Sequence, residues 1–264
     1  MIGAIIGDYV GSIYEWDNIK TTEFPFFSPE CRFTDDSVMS IAVADALMNG
    51  LDMAASLRKY GRMYPRAGYG GSFRRWLAAD DAPSYGSYGN GSAMRVSAAG
   101  WAASSLEEAL ALAEQSALPT HSHPEGVRGA QTVAGCIWLL RQGKSKADVR
   151  QWAISQGYQL DFTLDEIRPF YHFDVTCQGS VPQAITAFLE AVDFESAVRL
   201  AISIGGDSDT IACIAGSLAE ACWGVPDWMA AHVAARLPEP LYAPLAAFEA
   251  KYARPLPDAK QFHL

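Results

Sequence analysis

Positive charge is in short supply in this sequence. Against 30 Asp and Glu it carries 20 Lys and Arg, a formal net charge of −10, with no basic cluster longer than Arg74-Arg75. Proteins that hold nucleic acid present a basic field that offsets phosphate repulsion, so no nucleic-acid scaffold partner is expected. A small phosphorylated ligand stays compatible if a cation neutralises it locally. Cysteine is scarce too. Cys31, Cys136, Cys177, Cys213 and Cys222 are odd in number and form no CxxC pair, which argues against a disulfide framework or a zinc–thiolate site. Cys136, Cys213 and Cys222 have apolar neighbours and read as small core residues. Long hydrophobic runs are missing: no window approaches the roughly eighteen apolar residues of a membrane span. The opening stretch from Met1 to Asp8 lacks the basic flank and long apolar segment of a signal peptide. The expectation is a cytoplasmic protein with reduced thiols and no membrane partner.

What the chain does have is apolar content, half of its 264 residues, enough for a sizeable core. Apolar residues recur at helical spacing over 36–48, 105–118, 126–142, 181–192, 226–236 and 239–252. Residues 210–222 are almost wholly small and apolar, the pattern of a helix buried on nearly all sides. Alternating β-branched runs are nearly absent. Gly and Pro fall between the helical segments, at 68–71, 86–91, 119–124 and 205–206. The simplest reading is one all-α domain over 1–264, a monomer in the absence of a coiled-coil seam.

Two helix starts carry more oxygen than a cap requires. Phe33-Thr34-Asp35-Asp36-Ser37 precedes the helix near residue 36, and Gly205-Gly206-Asp207-Ser208-Asp209-Thr210 precedes the apolar helix at 210–222. Asp, Ser and Thr are preferred N-caps, and carboxylates suit the positive end of the helix dipole, so one Asp at either place is a cap. Several carboxylates packed together raise one another's pKa. A hard divalent cation, which prefers carboxylate, hydroxyl and water oxygens, removes that cost. On residue chemistry alone, caps and metal ligands are evenly balanced; calcium signalling is disfavoured because no EF-hand spacing is present.

These segments, with others in the same order, resemble the ADP-ribosylglycohydrolase family. Gly3-Ala4-Ile5-Ile6-Gly7-Asp8-Tyr9-Val10-Gly11 with Glu15 resembles its opening motif, and Phe33 to Ser37 its first metal motif. Gly89-Asn90-Gly91-Ser92-Ala93-Met94-Arg95 resembles its glycine loop, Thr120-His121-Ser122-His123-Pro124 its histidine motif, and Gly205 to Thr210 its second metal motif. The resemblance covers about residues 2–224; the chain is short for the family, so peripheral segments are expected to be trimmed. It implies a compact orthogonal multi-helix bundle with a binuclear Mg²⁺ or Mn²⁺ cleft. The ligands it implies are Thr34, Asp35, Asp36, Asp207, Asp209 and Thr210.

The activity the resemblance implies is removal of ADP-ribose from an ADP-ribosylated protein or small molecule, by hydrolysis at the distal ribose C1. Arginine is mildly favoured as the acceptor. Such hydrolysis passes through an oxocarbenium-like centre, and two metals serve it by gripping the ribose diol and acidifying a water. Glu15, Asp35, Asp36 and Asp209 are the catalytic candidates, with no single general base assigned. Asn90, Gly91, Ser92, Met94, Arg95 and His121 are the substrate-binding candidates. The glycine loop is expected to offer N–H groups to phosphate, and Arg95 to pair with a phosphate or brace the loop. Read alone, the two histidines are caps or surface residues, and Tyr85, Tyr88, His172 and Phe173 are more often core than stacking platforms. Asp8 either orients the site or is a plain helix residue. A two-metal phosphohydrolase and a non-catalytic ADP-ribose-binding or structural relative are the competing readings.

Overall fold

The computed structural model describes residues 1–262. The described residues form fifteen α-helices, a closing 3₁₀ turn and no strand. In chain order the helices are α1 (Ile2–Gly11), α2 (Asp35–Asn49), α3 (Met53–Met63), α4 (Gly71–Ala78), α5 (Gly91–Met94), α6 (Ser97–Ala102), α7 (Leu106–Ala117) and α8 (Pro124–Arg141). They continue as α9 (Lys146–Ser155), α10 (Leu164–Ile167), α11 (Cys177–Glu190), α12 (Phe194–Ser203), α13 (Ser208–Trp223), α14 (Asp227–Ala234) and α15 (Glu239–Tyr252).

Every helix expected from apolar periodicity is present, with ends within a few residues. Those that periodicity does not reveal are short, or are set by local capping. Ser145 and Asp148 form a capping box at α9, and Asp193 and Ser196 one at α12. Helix α1 hides for a different reason: Gly3, Gly7 and Gly11 lower its intrinsic propensity, so it is held by packing.

That packing organises the centre of the fold. Helix α13 is buried from Ser208 to Glu220, and α1 lies antiparallel along it. A Cβ on Gly7 would stand 2.0 Å from the Ala212 carbonyl oxygen, one on Gly3 2.4 Å from that of Gly216, and one on Gly11 2.5 Å from the Asp209 Cα. The i, i+4 glycines therefore form a strip along which the two backbones touch. Helices α8, α11 and α12 pack around α13, and α2 lies against α1, α3, α6 and α15.

At one end of the α1/α13 pair the Met1 ammonium is buried between Glu220 Oε1 (2.8 Å) and Glu249 Oε1 (2.7 Å). The N–H groups of Ile2 and Gly3 donate to the same two carboxylates. One cysteine departs from expectation: Cys222 is exposed, because α13 leaves the core in its last turn, whereas Cys31 and Cys177 are buried alongside Cys136 and Cys213. No described helix is long and apolar enough to cross a membrane.

Candidate active site

The other end of the α1/α13 pair is where the acidic segments meet. Asp8 comes from the last turns of α1, Thr34, Asp35 and Asp36 from the start of α2, and Asp207, Asp209 and Thr210 from the start of α13. The two acidic helix starts differ in how they are built. Thr34 is a working N-cap whose hydroxyl accepts from the Asp36 N–H. Asp207 occupies the N-cap position of α13 and makes no side-chain cap bond; Gly205 and Gly206, both at positive φ, turn the backbone so that its carboxylate points elsewhere.

Asp8 is fully buried and oriented by four donors: the Thr34 N–H (2.9 Å) and hydroxyl (2.6 Å), and the Ser37 N–H (3.0 Å) and hydroxyl. It thus fastens the first acidic segment to α1. Carboxylate oxygens of Asp8, Asp36 and Asp209 lie within 4.8 Å of one another, and so do those of Glu15, Asp207 and Asp209. Asp209 belongs to both groups. Asp35 lines the same cleft but stands outside either tight group. The Thr210 hydroxyl donates to Asp36 Oδ2 at 3.3 Å, and that of Thr34 lies 3.4 Å from the same oxygen.

Among the described residues, no Lys, Arg or His forms a salt bridge with any of these carboxylates, and Asp36 Oδ1 is buried with no hydrogen-bond partner. The acids therefore resist ionisation. Burial first, and neighbouring carboxylates second, hold Asp35, Asp36 and Asp209 well above the ordinary range. Burial lifts Asp207 to about 6 despite a hydrogen bond from Asn90. Burial and then Asp209 lift Glu15 to about 7. An all-oxygen set of acids with no salt-bridging side chain among the described residues fits hard divalent cations.

The cleft above the acids has a volume of about 580 Å³, the size of a small-molecule site. Glu15 and the acidic segments form its floor, Gly89–Gly91, Met94, Arg95 and His121 a wall, and Trp16, Tyr88 and Phe173 its mouth. Of the expected substrate contacts, Ser92 does not line the cleft: its hydroxyl donates to the Gly126 carbonyl (2.7 Å). The Asn90 amide donates to Asp207 Oδ2 (2.7 Å) and its backbone N–H to the Val175 carbonyl (2.7 Å). The Gly89 N–H goes to Ser87 Oγ, so half of the N–H groups from Gly89 to Ser92 are used within the chain.

Arg95, 1 % exposed, donates to the Ser116 carbonyl and to Thr120 Oγ1; its contacts brace the wall. Thr120 Oγ1 in turn lies 2.7 Å from His121 Nδ1, which leaves Nε2 facing Gly89 and Gly91. Burial, and then the Arg95 charge, push His121 well below its usual pKa. His123 instead caps α8. Tyr85, Tyr88 and Phe173 line the cleft.

The sequence profile of the ADP-ribosylglycohydrolase family matches residues 1–254. The chain belongs to that family. An ADP-ribosylhydrolase ARH3 from Homo sapiens is 28% identical over 306 aligned positions, covering 85% of this chain and 84% of the relative. An ADP-ribosylarginine hydrolase Tri1 from Serratia proteamaculans is 24% identical, covering 85% and 70%. A solved ADP-ribosylglycohydrolase-related protein complex superimposes with a TM-score of 0.70 at 24% identity, over 94% of this chain and 95% of the other, a likeness of fold. Membership makes the protein an ADP-ribosylglycohydrolase enzyme. Against that background, Asp8 and Thr120 are the residues that reading by motif placed least well. Asp8 had a signal in its place within the opening motif; Thr120 opens the histidine motif, but its bonds to Arg95 and His121 show only in the fold.

Proposed function

We propose that this ADP-ribosylglycohydrolase releases ADP-ribose by hydrolysing the bond from the distal ribose C1 to its acceptor, with two divalent cations, Mg²⁺ or Mn²⁺, held on the cleft floor. The observation that carries the reading is the pair of carboxylate groups sharing Asp209, which no side chain among the described residues salt-bridges. Asp36 and Thr34 would hold one cation beside Asp8, and Asp207 the other beside Glu15, with Asp209 common to both and Asp35 and Thr210 completing the set. When bound, the cations supply counter-charge to the acids and Lewis acidity toward the ribose hydroxyls.

The chain's own residues do the rest. Glu15, which lines the cleft beside Asp207 and Asp209, is placed to give or take a proton at the reacting bond. His121 presents Nε2 beside the glycine loop as a neutral hydrogen-bonding group for the ligand, and Met94 and the aromatic side chains exclude water around the sugar. The acceptor we favour is arginine. Glu15 stands beside the exposed Trp16–Phe173 stack, and a carboxylate next to an aromatic face suits a planar guanidinium. The name of the Serratia relative points the same way.

A panel of ADP-ribosyl substrates linked through arginine, serine and O-acetyl groups, assayed with Mg²⁺ and with Mn²⁺, tests this. Release of free ADP-ribose, fastest from arginine and lost in chelator, is expected. Release of AMP would replace the reading with a phosphohydrolase, and tight ADP-ribose binding without turnover in any metal would replace it with a binding protein.

A further inference from the structure

Residues 16, 18 and 20 follow Glu15 and alternate along an irregular segment with no helix of its own. Each reaches across to the chain around the second acidic helix start. The Trp16 ring, 76% exposed, stacks on Phe173 at 5.2 Å. The Lys20 ammonium donates to the carbonyls of Tyr171 (2.7 Å) and Ile204. Asn18 is the centre of the three. Its amide N–H groups donate to the carbonyls of Tyr14 (2.6 Å), Glu15 (3.0 Å) and Gly206 (2.9 Å), and its Oδ1 accepts from the Gly206 N–H (2.7 Å). One side chain therefore grips both backbone groups of Gly206, the residue before Asp207, and the carbonyl of Glu15.

We propose that Asn18 is a positioning residue for the hydrolysis, fastening Glu15 and Asp207 into one unit. Two observations make this more than a surface contact. Asn18 is exposed, so it contributes little burial, yet its amide is fully engaged with backbone from two segments 188 residues apart. The segment it clamps is also one that needs clamping: Gly205 and Gly206 both sit at positive φ, and α13 begins without a side-chain cap, so local structure alone does not fix where Asp207 points. Groups behind a site that orient its direct participants commonly cost 10–100-fold in metal affinity or activity when removed. The proposal rests on the hydrolase reading for its activity arm and is independent of it for its metal arm.

The test compares Asn18→Ala, and Asn18→Asp, which keeps the acceptor and removes the N–H donors, with the unmodified chain. Three measurements are made: Mn²⁺ binding by calorimetry without substrate, kcat and KM on an ADP-ribosyl substrate, and the melting temperature without metal. Both variants should weaken Mn²⁺ binding about tenfold and lower kcat about 10–100-fold, with KM changed less than about threefold. The metal-free melting temperature should move little. In a Glu15→Gln background at saturating Mn²⁺, where the loss of affinity through Asp207 is overcome, Asn18→Ala should cost less than about threefold further in kcat, because Glu15 is already disabled. Unchanged Mn²⁺ affinity and kcat in Asn18→Ala overturns the proposal, as does a kcat loss that is equally large with and without Glu15. Should one variant fail to fold, the other carries the same comparison. If the unmodified chain turns over no ADP-ribosyl substrate, the hydrolase reading fails, while the Mn²⁺ titration still decides the role of Asn18.

Discussion

Helices α1 and α13 carry a buried cluster of acids at each end, and the two clusters have opposite electrostatics. At the Met1 end, Glu220 and Glu249 close around an ammonium, and their oxygens also accept the first N–H groups of α1. Charge and hydrogen-bonding capacity are matched inside the chain. At the Asp8 end, five carboxylates line a cleft and Asp8 lies against two of them, with no salt-bridging cation among the described residues, and a buried oxygen of Asp36 has no partner. Burial is common to both clusters and so does not distinguish them. What separates a structural acid cluster from a candidate catalytic one is whether its charge balance is complete within the chain. An incomplete balance is tolerable only if the acids keep protons or take up cations.

The comparison breaks most sharply under paired substitutions. Asp209→Asn removes an acid shared by both groups; it should lower turnover by more than about 100-fold, beyond the usual cost of removing a supporting residue, and abolish the thermal shift produced by Mg²⁺. Its metal-free stability should stay the same or rise, since an acid that burial and its neighbours keep from ionising gives way to a neutral amide. Glu220→Gln should do the reverse. Leaving the ammonium half-compensated should cost about 3 kcal/mol, while kcat stays within about twofold and the Mg²⁺ shift persists. Melting curves with and without Mg²⁺, beside initial rates, check both. Equal destabilisation by the two substitutions would mean that both clusters are structural.

Asp8 lies between the extremes: an acid packed against Asp36 and Asp209 whose oxygens are satisfied by four hydrogen bonds. Asp8→Asn keeps its shape but turns one acceptor into a donor facing other donors. Its expected effect is smaller, about tenfold weaker Mn²⁺ binding together with about 1–2 kcal/mol of lost stability. A calorimetric titration paired with a melt separates it from Asp209→Asn, which should lose affinity without losing stability.

The legibility of the molecule follows the same division. Helices with an apolar stripe, such as α8 and α15, were readable because burial writes a 3.6-residue period into sequence. Helix α1 was not, because its defining feature is the absence of side chains at Gly3, Gly7 and Gly11, which says nothing of α13 until the two are docked. At the site, adjacent acids such as Asp35-Asp36 announced themselves by exceeding the needs of a cap. Residues whose place depends on partners far along the chain did not: Asn18 meets Gly206, and Arg95, for which phosphate pairing and bracing are both open in sequence, makes bracing bonds to Ser116 and Thr120. Motif reading located the acids and left their arrangement to the tertiary structure.

The smallest expected effect is also the one that tests charge balance directly. Glu15 and Asp207 sit at about 7 and about 6 in the folded chain, above the roughly 4 of an exposed carboxylate. Between these limits the unfolded chain has already released protons that the folded chain retains. Metal-free stability should therefore fall as pH rises from about 4 to about 7, and these two groups add no further loss above that window. Cations would displace those protons, so the melting-temperature gain from saturating Mg²⁺ should be slight at pH 5 and reach several degrees at pH 8, about 2–4 °C for each kcal/mol in a chain of this size. Glu220 is also lifted to about 7, but its partner is the fixed ammonium. Glu220→Gln should therefore leave the Mg²⁺-dependent part of the profile intact, and Asp209→Asn should flatten it. A gain of equal size at pH 5 and pH 8 would show that the cleft acids hold no protons for a cation to displace, and the contrast between the two ends of the helix pair would then lie in their hydrogen bonds alone.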